Sequence, residues 1–216
     1  MDWLVSEFGR DVLLRPIVLP TDLIPAEYDG SRPAAEALCR RVADRMDLRP
    51  NQCALNFDLV GEAVRRPTNR TTTLVKEQSG RWIRGADRNE IHLAPALTTD
   101  PVALTSIFAH EAGHELLLGG GRISPARRPD HEPLTDLLTV FYGLGIFTAN
   151  AAYERRPRPN GHGKQPLARG YLREAALSEA LAYYALLRGE RRPPWERHLD
   201  PPVRRGMRNH LDVLHR

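Results

Sequence analysis

Between residues 100 and 121 the chain writes out one helix with both ends marked, and that segment constrains what the rest can be. Asp100 stands where a side chain caps a first turn, and Pro101 takes the first helical position, where a missing N–H is no loss. Ala103, Ile107, Ala109 and Ala112 carry the helical periodicity, and Gly119–Gly121 end it. Inside this apolar segment sits His110-Glu111-Ala112-Gly113-His114. Residues four apart lie one turn above each other, so both imidazoles face one point with Glu111 projecting beside them. The bland alternative is a helix surface with two solvent-facing histidines and a tolerated repulsion between Glu111 and Glu115. Ile107, Phe108, Leu116, Leu117 and Leu118 crowd the same helix, so the polar stripe is partly buried and requires partners.

A metal ion would supply them. Zn²⁺ accepts neutral imidazole nitrogens at about 2.0–2.1 Å in a tetrahedral site. With three protein ligands the fourth position holds a water whose pKa falls to about 7, and a carboxylate at Glu111 can take its proton. The third ligand must come from another element. The next helical segment offers Glu132 and, one turn later, Asp136, with Thr135 and Thr139 extending a polar stripe on a face otherwise made of Leu, Val, Phe and Ile. Asp130 and His131 are rival ligands, and a first-turn carboxylate such as Glu132 can also serve only to complement the helix dipole. Glu132 is preferred because it alone sits one turn from Asp136. A metal-bound imidazole commonly donates its free N–H to a carboxylate, which is the role expected of Asp136.

The flanking sequence reads as α+β. Ala35, Leu38, Val42 and Met46 predict a helix from Ser31 to about Asp47. Three β-rich segments follow: Cys53–Val60, then Thr71–Val75 with Arg81–Ile83 behind a Ser-Gly turn, then Asn89–Leu93. The second ligand-bearing helix begins near Asp130 or Glu132 and runs without a break to Asn150. Arg155–Pro166 reads as an exposed loop, Tyr171–Leu187 as an Ala/Leu-rich helix, and a shorter basic helix follows Pro202. Residues 1–30 mix apolar pairs with Pro16, Pro20, Pro25 and Gly30 and read as irregular structure, which leaves 31–216 as a single domain: a short sheet packed on the two ligand helices, with C-terminal helices.

With 216 residues, 41% of them hydrophobic, the chain can bury one good core, and the formal net charge of +4 raises the question of an acidic partner. Arginines lie scattered through loops and helix ends, so a nucleic-acid partner is not the expected reading. The N-terminus lacks the basic start and apolar core of a secretory signal, no run approaches a membrane span, and Cys39 and Cys53 are too few for a disulfide framework. A cytoplasmic protein is expected.

His110, Glu111, His114, Glu132 and Asp136 together resemble the pattern of the gluzincins, zinc peptidases in which HExxH is followed on a second helix by a Glu ligand and, four residues on, an Asp. The compact layout also resembles the minimal bacterial zinc peptidases of the ImmA/IrrE type. The resemblance covers about residues 89–148. It implies a zincin-like fold, a zinc cofactor, protein or peptide substrates, and hydrolysis in which Glu111 activates the metal-bound water. Pro133 departs from the pattern by pushing Glu132 into the first turn of its helix. No downstream oxyanion-stabilising Tyr or His can be matched; among Tyr142, Tyr171, Tyr183, Tyr184, His131 and His162, Tyr171 is the preferred candidate. Arg122, Arg127 and Arg128, in the loop between the ligand helices, read as a solvated basic loop or as contacts for a substrate carboxylate. The other class left open is a zinc-binding regulatory or nucleic-acid-associated protein on the same fold.

Overall fold

Asp100 caps the central helix as its sequence predicts: its Oδ1 accepts the Ala103 N–H at 2.9 Å, and α5 runs from Pro101 to His114. The computed structural model containing it describes residues 1–59, 63–66, 74–77, 79–157, 164–168 and 170–216. The chain is mixed α+β. Its elements are, in order, α1 (Asp2–Phe8), α2 (Arg10–Leu13), α3 (Pro20–Leu23), α4 (Arg32–Arg45), β1 (Cys53–Asn56), β2 (Ala63–Arg66), β3 (Leu74–Glu77), β4 (Gly80–Ile83), β5 (Asn89–Leu93), α5, α6 (His131–Phe141), α7 (Gly145–Ala151), β6 (Tyr153–Pro157), β7 (Lys164–Ala168), α8 (Glu174–Leu187) and α9 (Pro201–Leu214). Among the described residues no helix is long and apolar enough to cross a membrane.

Helix α5 is buried because it is surrounded: α4, α6 and α7 pack on it, and β4 and β5 lie along it. The sheet that covers it has the order β1-β5-β4, with β1 parallel and β4 antiparallel to the central β5. Strand alternation places Ile91 and Leu93 in the core and leaves Glu90 and His92 partly exposed. Strand β4 approaches α5 so closely that a Cβ on Gly80 would stand 2.5 Å from Ile107 Cγ2 and 2.8 Å from Glu111 Oε1. Only a glycine permits that approach.

Several elements differ from their sequence expectation. The segment 1–30, expected to be irregular, holds three short helices, and Leu4 and Leu13 are fully buried in the same core as α5. Its apolar residues come in pairs between prolines and glycines, a pattern too short to show a 3.6-residue period. The long second helix is broken: Gly143 adopts φ +81°, ending α6 at Phe141 and letting α7 start at Gly145. The Gly143 carbonyl accepts the Val18 N–H at 3.1 Å, and Arg45 Nε donates to the Tyr142 carbonyl at 2.9 Å, so the break is an anchor for the N-terminal segment.

The expected loop Arg155–Pro166 is two antiparallel strands over its described part, β6 and β7, which join β2 and β3 in a second sheet of order β2-β3-β7-β6. Its tip, residues 158–163 with His162, lies outside the described residues, as do Val60 and Thr71–Thr73 of the expected strands. The last helix is not short. At 14 residues α9 equals α8, on which it lays Val203, Met207 and Leu211.

Candidate metal centre

Where α5 meets the first turn of α6, three side chains converge. His110 Nε2 stands 3.0 Å and His114 Nε2 3.3 Å from the same oxygen, Glu132 Oε2, and one ligand atom from each residue lies within 4.8 Å of the others. The two imidazole planes are nearly perpendicular, at 89° with centroids 4.8 Å apart, as expected of rings one turn apart aimed at one point. Donor atoms around a tetrahedral zinc with bonds of about 2.05 Å are separated by about 3.3 Å. The spacing of imidazole nitrogen and carboxylate oxygen therefore fits a zinc ion, as does the donor set of two histidines and one glutamate.

The free nitrogens are engaged in a way that supports this fit. His110 Nδ1 donates to Asp136 Oδ1 at 2.7 Å, which turns Nε2 toward Glu132. The other Asp136 oxygen, Oδ2, accepts the backbone N–H groups of Tyr171 and Leu172 at 2.6 and 2.8 Å. Asp136 is thus a buried carboxylate with three N–H donors, and it ties the start of the α8 region to the His110 imidazole. His114 Nδ1 lies 3.5 Å from Thr135 Oγ1, at the outer limit of a hydrogen bond. Gly113 allows α5 and α6 to meet this closely, since a Cβ there would come within 2.7 Å of Thr135 Cγ2.

Hydrogen bonds and ion pairs join the clustered side chains. Burial opposes a charged His110, but the hydrogen bonds it donates to Asp136 and Glu132 outweigh it and push its pKa up to about 10. Burial would likewise raise the Glu132 carboxyl, yet hydrogen bonds to both imidazoles hold it well below the usual carboxylate range. An imidazolium pinned between two carboxylates and a cation bound by the same atoms are electrostatic substitutes for each other.

Glu111 belongs to the site but not to the ligand set. Its carboxylate, buried against β4, accepts the Trp82 backbone N–H, and burial raises its pKa against the pull of His110 and His114. A carboxylate whose proton affinity is raised, beside a metal site and free of it, suits general base chemistry.

The rival ligands do not join the converging set. Asp130 forms a two-pronged pair with Arg128 at 2.9 and 3.0 Å, while His131 packs its ring 5.7 Å from that of His114 and is not among the converging atoms. Of the candidate tyrosines, Tyr171 stands at the site: its ring stacks on His110 at 5.4 Å and 17°, and its hydroxyl hydrogen-bonds Glu132. Tyr183 instead bonds Asp2, Tyr184 bonds the Leu13 carbonyl, and Tyr142 is buried. The basic loop between the ligand helices is also partly structural. Arg122 lies over the Phe8 ring and donates to the Leu116 carbonyl, and Arg128 lies over Trp3.

Sequence reasoning missed Glu115, treating it only as a charge near Glu111. It is buried, and its carboxylate accepts from Gln52 Nε2 at 2.8 Å, Trp82 Nε1 at 2.8 Å and Asn89 Nδ2 at 2.7 Å. Those donors come from beside β1, from β4 and from β5, so this one carboxylate stitches the end of α5 to the sheet. After His114 the helix widens into a π turn over Glu115–Gly119, an irregularity common at functional sites. A glutamate directly following the second histidine was the only available signal.

Comparison of the chain with protein-family models, with curated proteins and with solved structures finds no match. A functional reading therefore rests on the residues themselves.

Proposed function

We propose that the chain is a zinc-dependent hydrolase of peptide bonds on a zincin-like fold. The observation that carries the reading is the convergence of His110, His114 and Glu132 at zinc spacing beside a buried carboxylate, Glu111, that is not part of the ligand set. When bound there, Zn²⁺ would polarise a substrate carbonyl and lower the pKa of a water to about 7. Glu111 then takes the proton as the water oxygen attacks the carbonyl carbon, and returns it to the amine nitrogen as the C–N bond breaks. The Tyr171 hydroxyl, next to Glu132, is the donor assigned to the developing oxyanion in this reading.

A peptide substrate is favoured by β4. It is an edge strand of its sheet and lies against Glu111, so an extended chain pairing along that edge would run beside the site. Cys39 and Cys53 are both free, which suits a reducing compartment such as the cytoplasm.

The test separates metal, base and fold. Purified protein should carry about one zinc per chain, and His110→Ala or His114→Ala should empty the site, because two ligands hold the metal weakly. Glu111→Gln should keep zinc and fold while activity on a peptide library, read as new N-termini by mass spectrometry, falls by about 10²–10⁴-fold. Glu111→Gln cleaving as fast as the parent, or zinc retained at full stoichiometry by both histidine variants, would defeat the reading.

A further inference from the structure

A cleft of about 520 Å³ opens between α4 and β1, and none of His110, Glu111, His114 or Glu132 lines it. Its volume is that of a small-molecule site. The floor is apolar, with the buried Leu48, Ile91, Phe108 and Cys39 beneath it and Leu55 beside them, while Asn51, Gln52 and Asn56 add amide groups to the walls. Around this apolar body stand three exposed guanidiniums, those of Arg40, Arg49 and Arg88. None of the three has an ion pair or a side-chain hydrogen bond among the described residues. Two carboxylates also line the cleft. Glu36 is already paired with Arg32 at 2.9 Å, so Asp44 alone stands against the three cations.

A cleft with an apolar floor and a surplus of unpaired guanidinium at its wall is chemically complementary to one kind of molecule. Arginine presents a planar fork of donors that matches carboxylate and phosphate oxygens, while the apolar base gains from covering hydrocarbon. We infer that this cleft binds a small amphipathic anion, a molecule with an apolar body and one carboxylate or phosphate group. The apolar part lies against Leu48, Ile91 and Phe108, and the anionic group is taken by Arg40, Arg49 and Arg88.

The cleft also adjoins the helix that carries the candidate metal centre. Phe108 sits on α5 two residues before His110. Gln52, on the turn that forms one rim, donates to Glu115 at 2.8 Å and accepts the Arg49 N–H at 3.1 Å. A ligand that orders Arg49 therefore touches the turn that holds the Glu115 clamp.

The inference is independent of any hydrolase activity and is tested by binding alone. Isothermal titration of the full chain would use decanoate and decyl phosphate as the two anionic probes, with decanol as the neutral control and inorganic phosphate as the control without an apolar body. At least one of the two anions should bind with one site per chain, and each control should bind at least about tenfold more weakly, a difference of about 1.4 kcal/mol. Whichever anion binds more tightly identifies the acidic group. The triple variant Arg40→Gln, Arg49→Gln, Arg88→Gln, altered only at exposed positions, should lose at least about tenfold in affinity while its circular dichroism is unchanged. Ala54→Phe, which fills the cleft from β1, should abolish binding. Failure of both anions to bind, equal binding of decanol, or binding undisturbed in the arginine variant overturns the inference.

Discussion

Asp136 illustrates how much of the site rests on a residue that would not touch the metal. Its two oxygens accept three N–H groups and offer none in return, so its chemistry depends on being an acceptor at both ends. Asp136→Asn replaces one acceptor by an NH₂ group that must face a donor. If the amide nitrogen faces His110, that ring has to present Nδ1 as an acceptor and carry its proton on Nε2, the nitrogen aimed at the metal position. Asp136→Asn should therefore fold but weaken zinc affinity by about 10–100-fold, as changes to the partners of ligand residues do. Competition against a chelator measures this, and an unchanged affinity would show that Asp136 does not set the His110 tautomer. This part of the site was legible because Glu132 and Asp136 stand one turn apart on an apolar helix. Gly170 was not. It holds φ +82° and would place a Cβ 3.2 Å from Asp136 Oδ2, but a lone glycine carries no sign of the carboxylate it must approach.

Helix α5 is held in place at both ends by carboxylates of opposite character. At its start Asp100 satisfies a backbone donor in the usual way. Beyond its end Glu115 gathers three side-chain donors from the sheet, all neutral. Glu115→Gln would turn an NH₂ group toward at least one of them and leave buried donors without an acceptor. A loss of about 1–3 kcal/mol in unfolding free energy is expected, read from the denaturant midpoint. Glu111→Gln, one turn away and equally buried, should cost far less, because its environment already raises the affinity for a proton. Equal stability losses in the two variants would contradict this division of roles. At this scale the sequence marked α4, α5, β1 and β5 through caps and periodicity. It concealed α1 to α3, in a segment that Arg45, Arg122 and Arg188 hold from distant parts of the chain through the Pro16 carbonyl, the Phe8 ring and the Leu13 carbonyl. It also concealed the break at Gly143, because an apolar run that continues across a left-handed glycine looks like one helix.

For the molecule as a whole, the cluster of His110, Glu132 and Asp136 has a defined pH window. His110 is raised from 6.5 to about 10, so the stability it contributes is fully present below pH 6.5 and lost as pH rises through about 10. Glu132 is lowered from 4.5, so its contribution is present above pH 4.5 and lost as pH falls toward its folded value. Both contributions are complete between about pH 4.5 and 6.5. Zinc needs the Nε2 lone pair that the proton occupies, so the metal must displace that proton wherever His110 is held protonated. Near neutral pH, zinc uptake should release about one proton from this ring, detected by titration calorimetry in buffers of different ionisation enthalpy. The competition eases as protons become scarcer. The rise in melting temperature on adding saturating zinc should therefore be larger at pH 8.5 than at pH 5.5, since stabilisation follows the ratio of free metal to its dissociation constant. Differential scanning calorimetry of the metal-free and zinc-loaded protein at the two pH values provides the measurement. A thermal shift that shrinks with rising pH would mean that zinc does not compete for the His110 proton, and that the cluster where α5 meets α6 is a buried ion pair rather than a metal centre.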